Sequence, residues 1–300
     1  MSGVTLGIGE LARLAGVPVR TVRFYADEGL LPSVRSPGGH RRFTADAVDR
    51  LILVRRLRGL GLGLAAVAAV ASGERSLTDA VTAERAALDV ELTALAWRRA
   101  ALRAVEQARP SERPARLELL STVRDPGSAH DTLVGFWSRW FAAPPPEDTF
   151  DMFVSVSAPR PPANPTPRRV LAFAGMVSLA TDPSLAGRLR RRALANRRRL
   201  AEAADEGELH AGIGEACELA RPLVLAGSRP RPGHALDRFV DAHARAWRAT
   251  DTAAFRRELY AATAVDRDPR LRRYWRLLGE VTGEPANVGA SYYWLLDSLR

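Results

Sequence analysis

The stretch from Ile8 to Phe43 leaves this chain little choice of fold. Ile8, Leu11, Ala12 and Ala15 fall on one face of a short helix. Gly16 closes that helix, and Val17-Pro18 opens the next, because proline suits a first helical turn. The second helix is expected from about Val19 to Glu28, with Gly29 ending it. Two helices joined by a short glycine-containing turn make a helix-turn-helix unit. The second helix of such a unit lies in the DNA major groove. Its surface is expected to offer Arg20, Thr21, Arg23 and Tyr25. Arginine can pair bidentately with guanine or grip phosphate, and the hydroxyls can bond to phosphates or base edges.

A second device follows at once. Ser33–Ser36 and Arg41–Phe43 are short enough to be two strands, with Pro37-Gly38-Gly39 as the turn. The resulting β-wing carries Arg35, His40, Arg41 and Arg42. Thr44 is placed to N-cap a third helix.

The run from Ile8 to about Val70 resembles the DNA-binding domain of the MerR family of bacterial transcription regulators. The matching pieces are Ile8-Gly-Glu-Leu-Ala12, Gly16-Val17, Val22-Arg-Phe-Tyr25, Glu28-Gly-Leu-Leu-Pro32, Arg35, Gly39-His-Arg-Arg-Phe-Thr44 and Leu57-Arg-Gly-Leu-Gly61. Pro18 stands where the family usually has a capping Ser or Thr, and His40 where Tyr is common. The resemblance implies a four-helix winged domain that binds double-stranded promoter DNA and realigns the −35 and −10 elements for RNA polymerase by distorting the duplex. It also implies a homodimer held by an antiparallel pair of long helices.

Three hundred residues exceed one winged unit, so at least two domains are expected. The formal net charge of +10 favours a polyanionic partner. Residues 1–75 hold eleven Arg against six acids, more net positive charge per residue than either 76–108 or 109–300. All 44 basic residues are Arg, a usage that points to a GC-rich genome. Cys217 is the sole cysteine, so no internal disulfide or thiolate cluster can form. No signal peptide and no run of about 18 apolar residues is visible, so a cytoplasmic protein without a membrane segment is expected.

Beyond the wing, helices are expected over about 46–59 and 62–71. Ser76-Leu-Thr-Asp79 then reads as a capping-box-like start to a long helix reaching about Ala108. Val81, Leu88, Leu95 and Leu102 recur every seven residues, with Leu92 and Val105 adjoining. Such a repeat favours a coiled-coil dimerisation seam, the alternative being a helix packed on its own C-terminal domain. Residues 109–127, with Pro110, Pro114 and Pro126, read as a boundary. Further helices are expected near 129–142, 166–180, 183–204, 208–226, 234–249, 251–264, 268–282 and 288–299. Phe150–Val156 suits either a strand or a helix, and residues 158–167 a proline-rich loop. Asp131–Trp140 echoes Asp237–Trp247, and Asp182-Pro-Ser-Leu185 echoes Asp268-Pro-Arg-Leu271, so a duplicated helical domain and chance both stand as explanations.

The C-terminal region concentrates the aromatic residues. Runs such as Trp137/Trp140/Phe141 and Tyr292/Tyr293/Trp294 cannot all bury on one helix face, so some should meet a groove or partner. The segment from about Ile213 to Leu278 is similar to the TipA-like antibiotic-binding domain, through His243, Trp247, Leu259-Tyr260 and Asp268–Trp275. That similarity marks Trp247, Tyr260, Tyr274 and Trp275 as ligand-binding candidates, with Asp266 or Asp268 favouring any positive charge on the ligand. The arginine-rich run Gly187–Leu200 reads as a solvated helix face, with Leu185, Leu189, Ala193 and Leu200 turned inward, or as a second nucleic-acid contact. The histidines have no metal-ligand spacing, and no catalytic or cofactor-binding motif is found.

The reading is a mainly α chain: a winged helix-turn-helix DNA-binding domain (1–75), a coiled-coil dimerisation helix (76–108) and an all-helical effector-binding domain (109–300). The expected function is a ligand-responsive transcription regulator sensing a small organic molecule or antibiotic. The alternatives are an architectural or ligand-independent DNA-binding regulator, and a C-terminal domain with an enzymatic activity of its own.

Overall fold

A computed structural model describes residues 5–141, 147–162, 164–200 and 206–299. The chain divides into two compact units, Met1–Leu92 and Thr93–Arg300. The cut falls inside one long helix.

The first unit opens with a strand absent from the sequence reading, β1 (Thr5–Gly7), followed by α1 (Ile8–Leu14) and α2 (Val19–Asp27). β2 (Val34–Arg35) and β3 (Arg41–Thr44) form the wing, and the antiparallel sheet runs β1-β3-β2. Thr44 pairs with Thr5 in that sheet, so it is a strand residue and not the expected cap. The third helix, α3 (Ala47–Gly59), is capped at Asp46 without a side-chain bond. α4 (Leu64–Ser72) completes the four-helix winged unit.

Sequence dictates the turn between α1 and α2. Gly16 has φ +64°, a left-handed conformation that a Cβ would strain. The chain reverses there, and the Val17 amide donates to the Ala12 carbonyl at 2.9 Å. Leu11, Val22, Leu31, Phe43, Leu51 and Val54 then meet in one buried core. Three arginines of α3 serve this architecture. Arg50 Nε donates to the Leu30 carbonyl, Arg55 to that of Ala15 and Arg58 to that of Leu62. They satisfy carbonyls in the turns that follow α1, α2 and α3, which burial would otherwise leave costly.

The long helix, α5 (Leu77–Glu106), is 30 residues, or about 45 Å at 1.5 Å per residue. Ser76 Oγ accepts from the Asp79 amide at 3.0 Å and donates to the Asp79 carboxylate at 2.7 Å. The cap is therefore real, but Asp is one methylene too short for the reciprocal backbone bond of a Glu capping box. The helix has two apolar stripes. Trp97, Ala100 and Ala104 belong to the core of the second unit. Val81, Leu88, Leu92, Leu95 and Leu102 form a separate stripe, 40% to 65% exposed.

The stretch 109–127, expected as a boundary, is largely helical. A 3₁₀ turn (Pro110–Glu112), α6 (Arg113–Ser121) and the start of α7 (Pro126–Ser138) occupy it. Its prolines sit in first helical turns, where the missing N–H is no loss and φ is already helical. Phe150–Val156 is helical, inside α8 (Glu147–Ser157).

The rest is helical throughout: α9 (Pro167–Ala180), α10 (Pro183–Leu200), α11 (Glu206–Leu225), α12 (His234–Ala246), α13 (Ala253–Ala262), α14 (Pro269–Thr282) and α15 (Val288–Ser298). Position 142 and positions 201–204, where α7 and α10 were expected to continue, lie outside the described residues, as does the Leu200 side chain. α9 is apolar nearly all round and is buried, with α14 against it and Gly175 admitting Leu277 closely. α11 packs on α12 and α15. Among the described residues no single helix is long and apolar enough to cross a membrane.

The paired Asp-Pro motifs have one structural use. Asp182 and Asp268 each accept a backbone N–H at the start of their helix, α10 and α14, with proline in the first turn. Arg270 joins the two caps, donating to Asp182 at 2.7 Å and to Asp268 at 2.8 Å. Hydrogen bonds from Ser184 and then Arg270 hold the Asp182 carboxyl down at about 2.

Candidate functional site

Two sites can be built, one in each unit. In the first, α2 exposes Arg20, Arg23 and Phe24, spaced so that they share a helix face. Phe24 is 47% exposed and was missed, because an aromatic in an apolar run reads as core. Tyr25 is corrected. Its ring is buried in the unit's core and tilts against Phe24 at 5.4 Å between centroids. Thr21 is half-buried.

On the wing the register explains which arginines reach outward. Val34 pairs with Arg42 and Arg35 with Arg41. Side chains alternate along β3, so Phe43 entering the core sends Arg42 outward and Arg41 back toward the domain. Arg41 meets Asp27 at the end of α2 at 2.5 Å. This corrects its assignment as an outward contact: it ties the wing to the recognition helix. Arg35, His40 and Arg42 are exposed. Of the candidates on α2 and the wing, the outward ones are thus Arg20, Arg23, Arg35, His40 and Arg42, a mostly cationic set suited to phosphate and base edges.

The second site is a partly open cavity of about 360 Å³ in the second unit. Its lining comes from α7, α8 and α10 through α15. Trp137 is fully buried and lies within 5.0 to 5.6 Å of Trp140, Phe153, Tyr274 and Trp275. Trp140 and Phe141 follow the last helical residue of α7, so helix periodicity does not constrain them and both reach the cavity. Tyr292, Tyr293 and Trp294 all find cover because α15 is flanked by α8, α11, α12 and α14.

Of the four ligand candidates, the structure brings two together. Trp247 and Trp275 both line the cavity. Trp275 is fixed from two sides: Asn287 Nδ2 donates to its carbonyl at 2.9 Å, and its ring lies flat on Gly289. A Cβ at Gly289 would fall 1.9 Å from the indole, so only glycine fits. Tyr274 is core instead. Its ring is fully buried, its hydroxyl donates to the Ser157 carbonyl at 2.8 Å, and burial raises its pKa. Tyr260 is covered by the Arg267 guanidinium, 3.6 Å above its ring, and stands apart from the cavity.

The cavity's polar edge is the part the sequence hid. Arg192 of α10 closes on the Asp266 carboxylate and lies 3.7 Å over the Trp140 ring. Tyr292 donates to Asp266 at 2.8 Å, and the Tyr293 hydroxyl donates to the Asp266 carbonyl. Burial disfavours the Arg192 charge, but Asp266 and Tyr292 outweigh it and raise the guanidinium pKa. Arg192 is thereby removed from the solvated face that its neighbours Arg188, Arg190 and Arg191 occupy. Asp268 is not a cavity group: it caps α14 and pairs with Arg270. His243 is buried, with Nδ1 2.9 Å from the Phe239 carbonyl, and desolvation pushes it down to about 4. Among the described residues no cluster of three or more His, Cys, Asp or Glu is arranged to hold a metal.

Residues 6–74 match the family described as MerR HTH family regulatory protein. The chain is similar to the nodulation protein NolA of Bradyrhizobium elkanii, 34% identical over 123 residues, which is 39% of this chain and 56% of that protein. It is similar to the HTH-type transcriptional activator TipA of Streptomyces coelicolor, 46% identical over 68 residues, 22% of this chain and 27% of TipA. A third relative is the HTH-type transcriptional regulator CueR of Vibrio cholerae, 35% identical over 60 residues, 20% of this chain and 43% of CueR. The chain spans about half or less of the curated relatives it matches. No solved structure matches it.

Proposed function

We propose that this chain, whose residues 6–74 are a MerR-family helix-turn-helix domain, is a ligand-responsive transcription regulator that binds promoter DNA as a homodimer. The observation that carries the reading is the outward cationic set on α2 and the wing, within the matched domain. Arg20 and Arg23 on the recognition helix would meet base edges or phosphates, with Phe24 beside them against sugars or a thymine methyl. Arg35, His40 and Arg42 on the wing would hold the neighbouring backbone.

Residues 76–108 are read as the dimerisation element. A stripe of five large apolar side chains left half exposed on one helix marks a protein contact surface, and its seven-residue spacing suits a second copy of the same helix. Residues 109–300 are read as the effector domain, taking a small organic molecule in the aromatic cavity. The bound dimer would distort an overlong promoter spacer so that RNA polymerase can use it, and the effector would bias that state by binding it unequally.

The test is operator selection. Purified protein is used to select DNA fragments, and binding to the selected site is measured against salt. Arg23→Ala and Arg42→Ala are each expected to weaken binding; a phosphate contact would also lower the salt slope by about one. Unchanged affinity and slope in both variants would remove this interface.

A further inference from the structure

The cavity's charge arrangement says what kind of molecule it takes. Resting on the reading of this cavity as the effector site, we propose that it selects an uncharged, flat aromatic molecule, because its two opposite interior charges, Arg192 and Asp266, already neutralise one another.

Asp266 is 1% exposed, and its carboxylate is held by Arg192 and by the Tyr292 hydroxyl. Neither charge is left to meet an ion. A ligand carboxylate would have to compete with Asp266 for Arg192, and a ligand ammonium with Arg192 for Asp266. Either would bring a third charge into a site that balances two, and desolvating it without a partner is costly. Glu218 also lines the cavity, but its side chain is 73% exposed and lies 3.8 Å from Arg221, so solvent screens it. This reverses the expectation that Asp266 would attract a cationic ligand.

Shape follows from the walls. Trp137, Trp140, Phe141, Phe153, Trp247 and Trp275 all line the cavity, so its walls are largely aromatic rings. Aromatic faces of this kind favour another flat ring by offset or edge contact. One polar preference is also built in. The His243 ring lines the cavity and directs Nδ1 to the Phe239 carbonyl, so in its neutral form Nε2 is an acceptor. A flat ligand carrying one N–H or O–H matches it.

Three probes of similar size separate the cases, measured on the full chain without DNA by probe and tryptophan fluorescence. Acridone is neutral, flat and carries one N–H; anthracene-9-carboxylate is an anion; 9-aminoacridine is a cation at pH 7. Acridone is expected to bind at least about ten-fold more tightly than either ion. Arg192→Met leaves Asp266 uncompensated and should move the ranking toward 9-aminoacridine, while Asp266→Asn should move it toward the carboxylate, each by about ten-fold or more. Circular dichroism checks the folding of each variant, and if one fails to fold the wild-type ranking decides. A charged probe that equals or beats acridone, or folded variants with an unchanged ranking, overturns the selectivity and leaves the effector cavity standing. Failure of all three probes to bind overturns both.

Discussion

Acid should weaken the second unit through one histidine. His243 of α12 is buried beside Phe239, and desolvation pushes it down to about 4 from 6.5, with Arg192 and His210 acting in the same direction. Between those two pH values the unfolded chain takes up a proton that the folded chain refuses. Stability therefore rises with pH across this window: the contribution is complete above about 6.5 and lost as pH falls toward 4. The full gap corresponds to about 3 kcal/mol, and the step from pH 7 to pH 4.5 to about 2–3 kcal/mol. Urea unfolding followed by tryptophan fluorescence reads this unit alone, because all six tryptophans lie between Trp97 and Trp294. His243→Leu removes the titrating ring. Its absolute stability is immaterial; what matters is that it should lose about 2–3 kcal/mol less than wild type between pH 7 and pH 4.5. Equal losses in the two proteins would refute the argument that burial keeps this imidazole neutral.

Replacing Leu88 and Leu95 together by Asp should leave the proposed dimer monomeric in light scattering, since two carboxylates would enter the proposed apolar seam; a double variant that stays dimeric moves the interface elsewhere. Gly289→Ala should lower the urea midpoint by the equivalent of about 1–3 kcal/mol, because its new methyl overlaps the Trp275 indole, and a variant as stable as wild type would show that the indole can move aside. Arg270→Ala should cost about 1 kcal/mol, the small value expected of a partly solvated network. It should also raise the Asp182 pKa from about 2, although the Ser184 bond that contributes most to lowering it remains; an unmoved Asp182 titration in the NMR spectrum would deny that Arg270 reaches it.

Helix positions were legible because their signals are local. The apolar period, the Gly16 turn and the Asp-Pro and Thr-Pro starts each act within one or two turns, and α9 through α15 lie close to where those signals put them. Proline misled at 110–126 because the same residue stops one helix and starts another, and only the partner packing distinguishes the two. β1 was invisible because three residues carry no period, and its strand character comes from pairing with β3. At the sites, exposure was the missing quantity. Tyr25 and Phe24 are neighbours of similar character, and their opposite fates follow from which side of α2 faces the core. Arg192 looked like one more member of an arginine run, and its partner Asp266 is 74 residues away. No local pattern could pair them. Trp247 and Trp275 were found through a family likeness, whereas the runs holding Trp137, Trp140 and Tyr292 were flagged only as partly facing a groove, and which members do so needed the fold.

The bond network at Arg270 also bears on how the two helices it joins can move. α10, which carries Arg192, and α14, which carries Trp275, both begin at the corner that Asp182, Asp268 and Arg270 pin together. Two rods fixed at one end behave like the legs of a pair of compasses. Sliding either lengthwise past the other has to break the corner, whereas opening the angle between them does not, so any change in the distance between Arg192 and Trp275 that keeps the corner intact opens the angle. On the reading of this cavity as an effector site, a bulkier guest would then be accommodated most at the ends of the two helices farthest from that corner, and least at the corner itself.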